Sequence, residues 1–368
     1  MRCLSHSYYM NVALELAKQG EYFVLPNPRV GCVIVKNGTI IGRGFHQRYG
    51  DRHAEVLAIE DAIKNGYSLK NATMYVTLEP CSHYGKQPPC TEAIVRSGIK
   101  KVVVATKDPN PLVNGKGIAR LKSAGIEVIV GILENEAILL NKDFFKFIKT
   151  NLPYIAVKVA QSLDGKIASP GGERFSFNTE EENDFVHLLR QKYMAVLVSA
   201  NTVITDNPML NARFGKIIRQ PARVVIDTNL KIPTNSKIVE TAKDYQTFVV
   251  YSKKNEEKIK ILSQSGIKLI EADESENGMD LRDALSKLAK EKIASILVEG
   301  GGNLNFSLLK EGLADYWYSF VFHTFIGGKA TKTSVDGEGF LNSYPKLSNV
   351  KITRFKNSTL IEGDISYV

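Results

Sequence analysis

What most constrains the fold of this chain is an alternation. Short runs rich in Val and Ile recur along its 368 residues, separated by amphipathic stretches and by Gly, Pro and Asn turns. A strand-length apolar run followed by a helix-length amphipathic one buries both only when helices are layered on a sheet. Helical periodicity covers residues 8–18. Residues 30–35 and 39–44 then read as strands joined through Lys36-Asn37-Gly38, and Asn-Gly is a strong hairpin signal. A helix at 54–64, a strand at 74–78, a helix at 92–97, a strand at 101–106, a helix at 118–124 and a strand at 127–130 follow. A hairpin leading into repeated αβ units predicts a mixed or parallel sheet flanked by helices. Residues 132–150 read as one helix with a basic, aromatic end, and Thr150-Asn151-Leu152-Pro153 marks a boundary.

A second αβ series starts beyond it. Strands are expected at 154–159, 195–199, 223–227, 247–251, 268–271 and 295–298, with helices at 180–192, 256–264 and 280–290. Residues 316–322, 350–355 and 360–366 close the chain as strands, so this sheet is expected to finish antiparallel, and 271–276 reads as an acidic loop. Two unlike α/β domains, 1–150 and 151–368, agree with a length prior of about 150 residues per domain. Composition adds exclusions: 43% hydrophobic and 24% charged residues, with 28 Gly and 13 Pro, rule out collagen-like, low-complexity and largely disordered chains.

Four cysteines, at 3, 32, 81 and 90, are too few and too unevenly placed for a secreted disulfide framework. The N-terminus lacks a signal-peptide core, and no window approaches the roughly 18 apolar residues of a membrane span. A soluble, cytoplasmic protein with no membrane partner is expected. The net charge of +9 sits mostly in residues 1–150, where 20 Lys and Arg face 13 Asp and Glu, against 28 and 26 in the remainder. These charges are scattered, which reads as a solvated basic surface rather than a nucleic-acid track.

The residues richest in chemistry are His53-Ala54-Glu55 and the stretch Glu79-Pro80-Cys81 to Pro88-Pro89-Cys90. One imidazole and two thiolates suit borderline-soft zinc, and three protein ligands leave the open position that a catalytic site requires. His53, Cys81 and Cys90 are therefore the candidate ligands. Residues two apart on a helix project about 200° apart, so Glu55 is better read as the acid/base group acting on a zinc-bound water whose pKa falls to about 7. An H-x-E tripeptide followed by P-C-x-x-C is the known signature of zinc nucleobase deaminases. Here eight residues, not two, separate the cysteines, and the loop between them holds His83 and Lys86. Cys3 and Cys32 carry no such reading, one lying near a terminus and the other alternating into a strand.

In the second half, Ser162-Leu163-Asp164-Gly165-Lys166 directly follows a strand, where open α/β sheets place ligands. Val298-Glu299-Gly300-Gly301-Gly302-Asn303 also follows an apolar strand and precedes a helical run. Consecutive glycines there let backbone N–H groups approach a pyrophosphate beside a helix N-terminus. The spacing is not GxGxxG, so a conventional Rossmann site is not supported.

Asn27-Pro28-x-Val30-Gly31, His53-Ala54-Glu55 and the long Cys81–Cys90 loop together resemble the deaminase half of the bifunctional riboflavin-biosynthesis deaminase/reductase family. The loop length separates them from cytidine and tRNA-adenosine deaminases. The second half, with residues 199–208 and 223–227, resembles the reductase half of the same family. The resemblance implies a cytidine-deaminase-like αβα domain followed by a dihydrofolate-reductase-like α/β domain. It implies one Zn2+ per chain, NADPH as hydride donor, a phosphorylated pyrimidine substrate, no nucleic acid, and a homo-oligomer assembled through the reductase domain. The implied reactions are hydrolysis of the 2-amino group of a diaminopyrimidinone carrying a phosphoribosylamino chain, then reduction of that ribosyl chain to ribityl.

By position, Asn27, His83 and Lys86 become substrate contacts in the first half. Ala160, Ser176, Thr202, Asp206, Thr228 and the loop Gly301, Gly302, Asn303, Leu304, Asn305, Phe306, Ser307 become cofactor contacts. Arg174, Arg190, Leu210, Arg213 and Glu299 become substrate contacts in the second half, arginine being suited to phosphate by its bidentate fork. Residues 173–178 depart from the family pattern at Arg174 and Ser176. Two other readings compete: a nucleic-acid-editing zinc deaminase with a C-terminal binding module, and a structural zinc domain joined to an inactive sheet domain. The unusual cysteine spacing and the absence of a basic or aromatic stripe count against the first.

Overall fold

The computed structural model describes residues 5–84, 88–111, 113–171, 179–276, 278–329 and 331–367. The chain forms two compact units, Met1–Asn151 and Leu152–Val368. Among the described residues no helix is long and apolar enough to cross a membrane.

The first unit runs α1 (His6–Lys18), β1 (Gly31–Lys36), β2 (Thr39–Phe45), α2 (Ala54–Lys64), β3 (Thr73–Leu78), α3 (Cys90–Ser97), β4 (Lys101–Thr106), α4 (Lys116–Ser123), β5 (Glu127–Val130), α5 (Glu134–Leu140) and α6 (Lys142–Thr150). Its sheet has the order β2-β1-β3-β4-β5, with β1 antiparallel to both neighbours and β3, β4 and β5 parallel. Strand alternation sends Cys32, Ile34, Met74 and Val76 to one face, where Ala54, Ala58 and Ala62 of α2, Ile94 of α3 and Leu121 of α4 cover them. Val33, Val35, Tyr75 and Val103 point the other way, against Tyr9, Met10 and Ala13 of α1 and Ala137 of α5. The expected single helix over 132–150 is in fact two. It breaks at Asn141, whose side chain is drawn off to the backbone of Arg29, accepting its N–H at 2.7 Å and donating to its carbonyl at 2.9 Å.

The second unit runs β6 (Tyr154–Ser162), α7 (Glu180–Lys192), β7 (Ala195–Ser199), α8 (Ala200–Asp206), β8 (Ala222–Ile226), α9 (Lys237–Glu240), β9 (Thr247–Tyr251), α10 (Glu256–Gln264), β10 (Lys268–Glu271), β11 (Glu274–Ser275), β12 (Gly278–Met279), α11 (Leu281–Lys290), β13 (Ser295–Val298), α12 (Gly302–Lys310), β14 (Tyr316–Phe322), β15 (Lys346–Arg354) and β16 (Ser358–Ser366). The main sheet has nine strands in the order β10-β9-β8-β7-β13-β6-β14-β16-β15. From β10 to β14 neighbouring strands are parallel, and β16 then pairs antiparallel with β14 and with β15, so the sheet ends as expected. α11 and α12 cover one face through Leu285, Leu288, Leu308 and Leu309. Val203 of α8, Ile238 of α9 and Leu262 of α10 pack on the other. The chain leaves β6, builds β7 to β10 outward, and returns to insert β13 between β7 and β6. That reversal makes the carboxyl ends of β7, β13 and β6 a topological switch point. The expected acidic loop instead carries the β11/β12 ladder, and β15 begins four residues earlier than hydropathy suggested, because this edge strand is exposed along its whole length and shows no burial alternation.

Candidate functional site

Three elements of the first unit deliver the candidate metal ligands. His53 is the N-cap of α2 in extended conformation, Cys81 follows the end of β3, and Cys90 opens α3. His53 therefore lies outside the helix that carries Glu55, so the two residues are separated by the cap rather than by helical projection. Their placement depends on close packing: a Cβ at Gly44 of β2 would lie 2.3 Å from the Ala54 carbonyl, so only glycine lets α2 rest there.

The ligand atoms of His53, Cys81 and Cys90 all lie within 4.8 Å of one another. His53 Nδ1 is 3.1 Å from Cys90 Sγ and 3.6 Å from Cys81 Sγ, and the Cys90 N–H donates to Cys81 Sγ at 3.3 Å. Hydrogen bonding from Cys90 holds the Cys81 thiol down at about 4 against the burial that opposes it, with His53 adding to the effect. Hydrogen bonding to Cys81 pushes the His53 imidazole up to about 8. A soft, anionic donor beside an imidazole and a second sulfur fits zinc. Glu55 falls outside the ligand trio. Its carboxyl is buried, and burial raises its pKa despite the opposing pull of His53.

His53, Cys81 and Glu55 line a cleft of about 360 Å³, and Cys90 is buried behind it. Asn27 borders it, held by its amide at 3.2 Å from His46 Nε2, and exposed His83 stands at its rim. Lys86 lies outside the described residues. Several lining residues had not been singled out from sequence: His46, Asp108, Asn110, Phe144 and Ile148. The Asp108 carboxyl is pushed up to about 6, chiefly by burial. A signal for Asp108 and Asn110 was present, since a polar Asp-Pro-Asn directly after an apolar strand sits where α/β sheets bind ligands. Nothing local marks Phe144 and Ile148.

In the second unit, Ala160 lies near the carboxyl end of β6, Thr202 lies in α8 just beyond β7, Thr228 follows β8, and Gly301 follows β13. In sheet order these strands are neighbours, so the expected cofactor residues share one carboxyl edge. Asp206 is exposed at the end of α8. A Cβ at Gly301 would meet no atom within 4 Å, which leaves the backbone ahead of α12 open to a ligand. Gly302 is different. A Cβ there would lie 2.5 Å from the Thr333 carbonyl and from the Asp336 carboxylate, so this glycine accommodates the protein's own chain. Asn303 is exposed, Leu304 and Ser307 are half-buried, and Asn305 and Phe306 turn inward, the first donating to the Ser334 carbonyl at 2.8 Å and the second packing on Phe340.

Two expected substrate contacts are engaged by the protein itself. Leu210 is 2% exposed and its side chain belongs to the core, so only its left-handed backbone (φ 53°) can face a ligand. Arg190 spends its fork on Glu299, at 2.6 and 2.9 Å, and on the Asn211 carbonyl at 3.0 Å. Lys158, 3.5 Å from the same carboxylate, was missed, although a lysine inside an apolar central strand is itself a signal. Arg213 is exposed, and its backbone N–H donates to His187 Nδ1 at 3.1 Å. Burial and the neighbouring arginines push His187 down to about 4, so the ring is neutral and its proton sits on Nε2. Asp164 is spent internally, accepting from Ser162 Oγ and from the N–H groups of Ile326 and Gly327. Arg174 and Ser176 lie outside the described residues.

Two family profiles match the chain: "Cytidine and deoxycytidylate deaminase zinc-binding region" over residues 4–106, and "RibD C-terminal domain" over residues 153–361. The riboflavin biosynthesis protein RibD of Aquifex aeolicus is 45% identical over 87% of this chain and 87% of its own length. RibD of Actinobacillus pleuropneumoniae is 40% identical, covering 97% of this chain and 93% of the relative. Among solved structures, Acinetobacter baumannii RibD superposes with a TM-score of 0.87 at 37% identity, covering 98% of both chains. The diaminohydroxyphosphoribosylaminopyrimidine deaminase/5-amino-6-(5-phosphoribosylamino)uracil reductase of Thermotoga maritima gives 0.84 at 36% identity, again over 98% of both. Such relatives span both units, which disfavours the nucleic-acid-editing alternative and the inactive zinc domain alike. The chain belongs to the RibD family of bifunctional riboflavin-biosynthesis deaminase/reductases.

Proposed function

We propose that the two activities of this bifunctional enzyme are divided between its units, Met1–Asn151 deaminating and Leu152–Val368 reducing. The observation that carries the reading is the convergence of the His53, Cys81 and Cys90 ligand atoms next to a cleft that His53, Cys81 and the buried Glu55 line. His53, Cys81 and Cys90 hold zinc, which supplies a Lewis acid that acidifies water. Glu55 takes the proton from the attacking water and returns it to the departing amine. Asn27 and His83 orient the diaminopyrimidinone, and Lys86 serves its phosphate. Ala160, Thr202, Asp206, Thr228 and the open backbone at Gly301 would hold NADPH, which would supply the hydride for reduction of the opened ribosyl carbon, with a proton taken up alongside it. Arg213 is the cation placed for substrate phosphate, while Glu299 keeps Arg190 and Lys158 in place between the strands.

The test uses the full chain. Cys81→Ser should abolish release of ammonia from the diaminopyrimidinone phosphate and lower bound zinc, with NADPH-dependent reduction of the deaminated intermediate retained. Equal loss of both activities in a folded variant would sink the division of labour. The same reading implies a reducing cytoplasm, in keeping with Cys32, Cys81 and Cys90 being outside any disulfide.

A second copy of the chain is proposed as partner through β15, which pairs on one side only and is exposed at all nine positions, including Val350 and Ile352. Such an edge invites pairing. Light scattering of Ile352→Lys should show a smaller species than the parent, and an unchanged mass would remove β15 from the interface.

A further inference from the structure

The zinc-binding profile ends at residue 106, yet the cleft has a wall from beyond it: Phe144 and Ile148 of α6 line the same space as His53 and Glu55. α6 is tied to the neighbouring Asn27–Val30 segment by a buried clamp, and Val30 packs against the cluster that holds Phe144 and Ile148. Arg29 donates from Nη1 and Nη2 to the two oxygens of Asp143 at 3.0 and 2.9 Å, and from Nη1 to the Leu140 carbonyl at 2.8 Å. The two charged side chains are only 6% and 11% exposed. Asn141 adds its reciprocal pair of hydrogen bonds to the backbone of Arg29, two residues from Asn27. The clamp therefore fixes where α6 sits against the Asn27–Val30 segment, and these two adjoining segments both line the cleft.

We propose that α6 is a specificity wall of the deamination cleft, with Ile148 and Phe144 bounding the bound pyrimidine and Arg29 and Asp143 acting as positioning residues. The inference rests on the deaminase reading of the first unit. Ion pairing is a costly way to stabilise a buried contact, because an apolar pair of similar volume does so equally well. What a bidentate guanidinium–carboxylate pair adds is geometry: a fixed separation and a fixed angle. Ile148 contributes no group to proton transfer, so its packing against the substrate is the same in the ground state and the transition state. Removing it raises KM and leaves kcat alone.

The experiment measures kcat and KM for deamination in the zinc-loaded full chain. Activity of the parent chain is established first, and its absence would fail the deaminase reading itself rather than the wall. Ile148→Ala should raise KM at least about tenfold, the worth of an apolar side chain's packing in a pocket, with kcat and zinc content unchanged. Unchanged KM would overturn the wall. For the clamp, Asp143→Asn leaves the buried Arg29 charge uncompensated and should both destabilise the fold and raise KM. The double variant Arg29→Met with Asp143→Leu separates the two effects, since an apolar pair restores stability without restoring geometry. KM still raised at parental melting temperature supports the clamp as a positioning device. Parental KM in that double variant makes it a structural contact only and overturns the assignment.

Discussion

Substituting Gly44 by alanine tests whether the deaminase centre depends on how closely α2 approaches the sheet. The added Cβ would stand 2.3 Å from the Ala54 carbonyl oxygen and 2.5 Å from the Ala58 nitrogen. Close carbon–oxygen contacts settle near about 3.3 Å, so the first turn of α2 must lift by about 1 Å. Both obstructing atoms are backbone, and no rotamer change relieves them. That turn carries Glu55 and begins at His53. A displacement of about 1 Å in a group poised for reaction costs on the order of 100-fold in rate. Deamination kcat/KM in Gly44→Ala, measured at saturating zinc, should fall by about that factor, while NADPH-dependent reduction by the second unit stays at the parental rate. Gly42 provides a contrast: its Cβ would meet the Ala58 carbonyl at 2.3 Å, a turn further from Glu55, so Gly42→Ala should cost similar stability and less activity. Parental kcat/KM in a zinc-loaded Gly44→Ala protein would refute the close-packing argument.

Glu55→Gln should keep its zinc, by metal analysis, and lose deamination by roughly two to four orders of magnitude, the usual worth of a general acid/base; zinc lost together with activity would make Glu55 a ligand. Gly301→Val places its side chain in open space, so the fold should be preserved while NADPH binding weakens in a direct titration. Unchanged affinity would reduce the loop to a turn. His187 has its folded pKa depressed to about 4, below the ordinary value of about 6.5 for the unfolded chain, so the unfolded state binds more protons in that window. The stability of the second unit should decline as pH falls from about 6.5 toward about 4, by up to about 1.4 kcal/mol per pH unit, and His187→Gln should flatten that slope in urea titrations. A slope equally steep in the variant would assign the acid sensitivity elsewhere.

The alternation of apolar runs and amphipathic stretches was enough to read most of the central strands, because strands buried on both faces are recognisable as continuous Val and Ile segments. It failed where burial is weak or where tertiary contacts intervene. β15 is exposed throughout, and its limits left no hydropathic trace. The break between α5 and α6 has no Gly or Pro to announce it. Asn141 interrupts the helix because Arg29, 112 residues away, captures its side chain.

The same division governs the sites. The candidate metal ligands and Glu55 stand out because zinc favours particular donor atoms, and the chain supplies them at strand ends and helix starts, where few residue types offer alternatives. Supports and walls answer to shape instead, and many residues can provide shape. Phe144 reads as one more apolar position on an amphipathic helix until β3 and α6 are seen to border one cleft. Gly302 illustrates the converse. Three consecutive glycines suggested a ligand cradle along their whole length, yet residues 333–336 lie against the third and leave the second facing open space. A glycine marks a place where something comes close to the backbone. Whether that something is a cofactor or another stretch of the same chain depends on residues some thirty positions downstream, which a local motif does not contain.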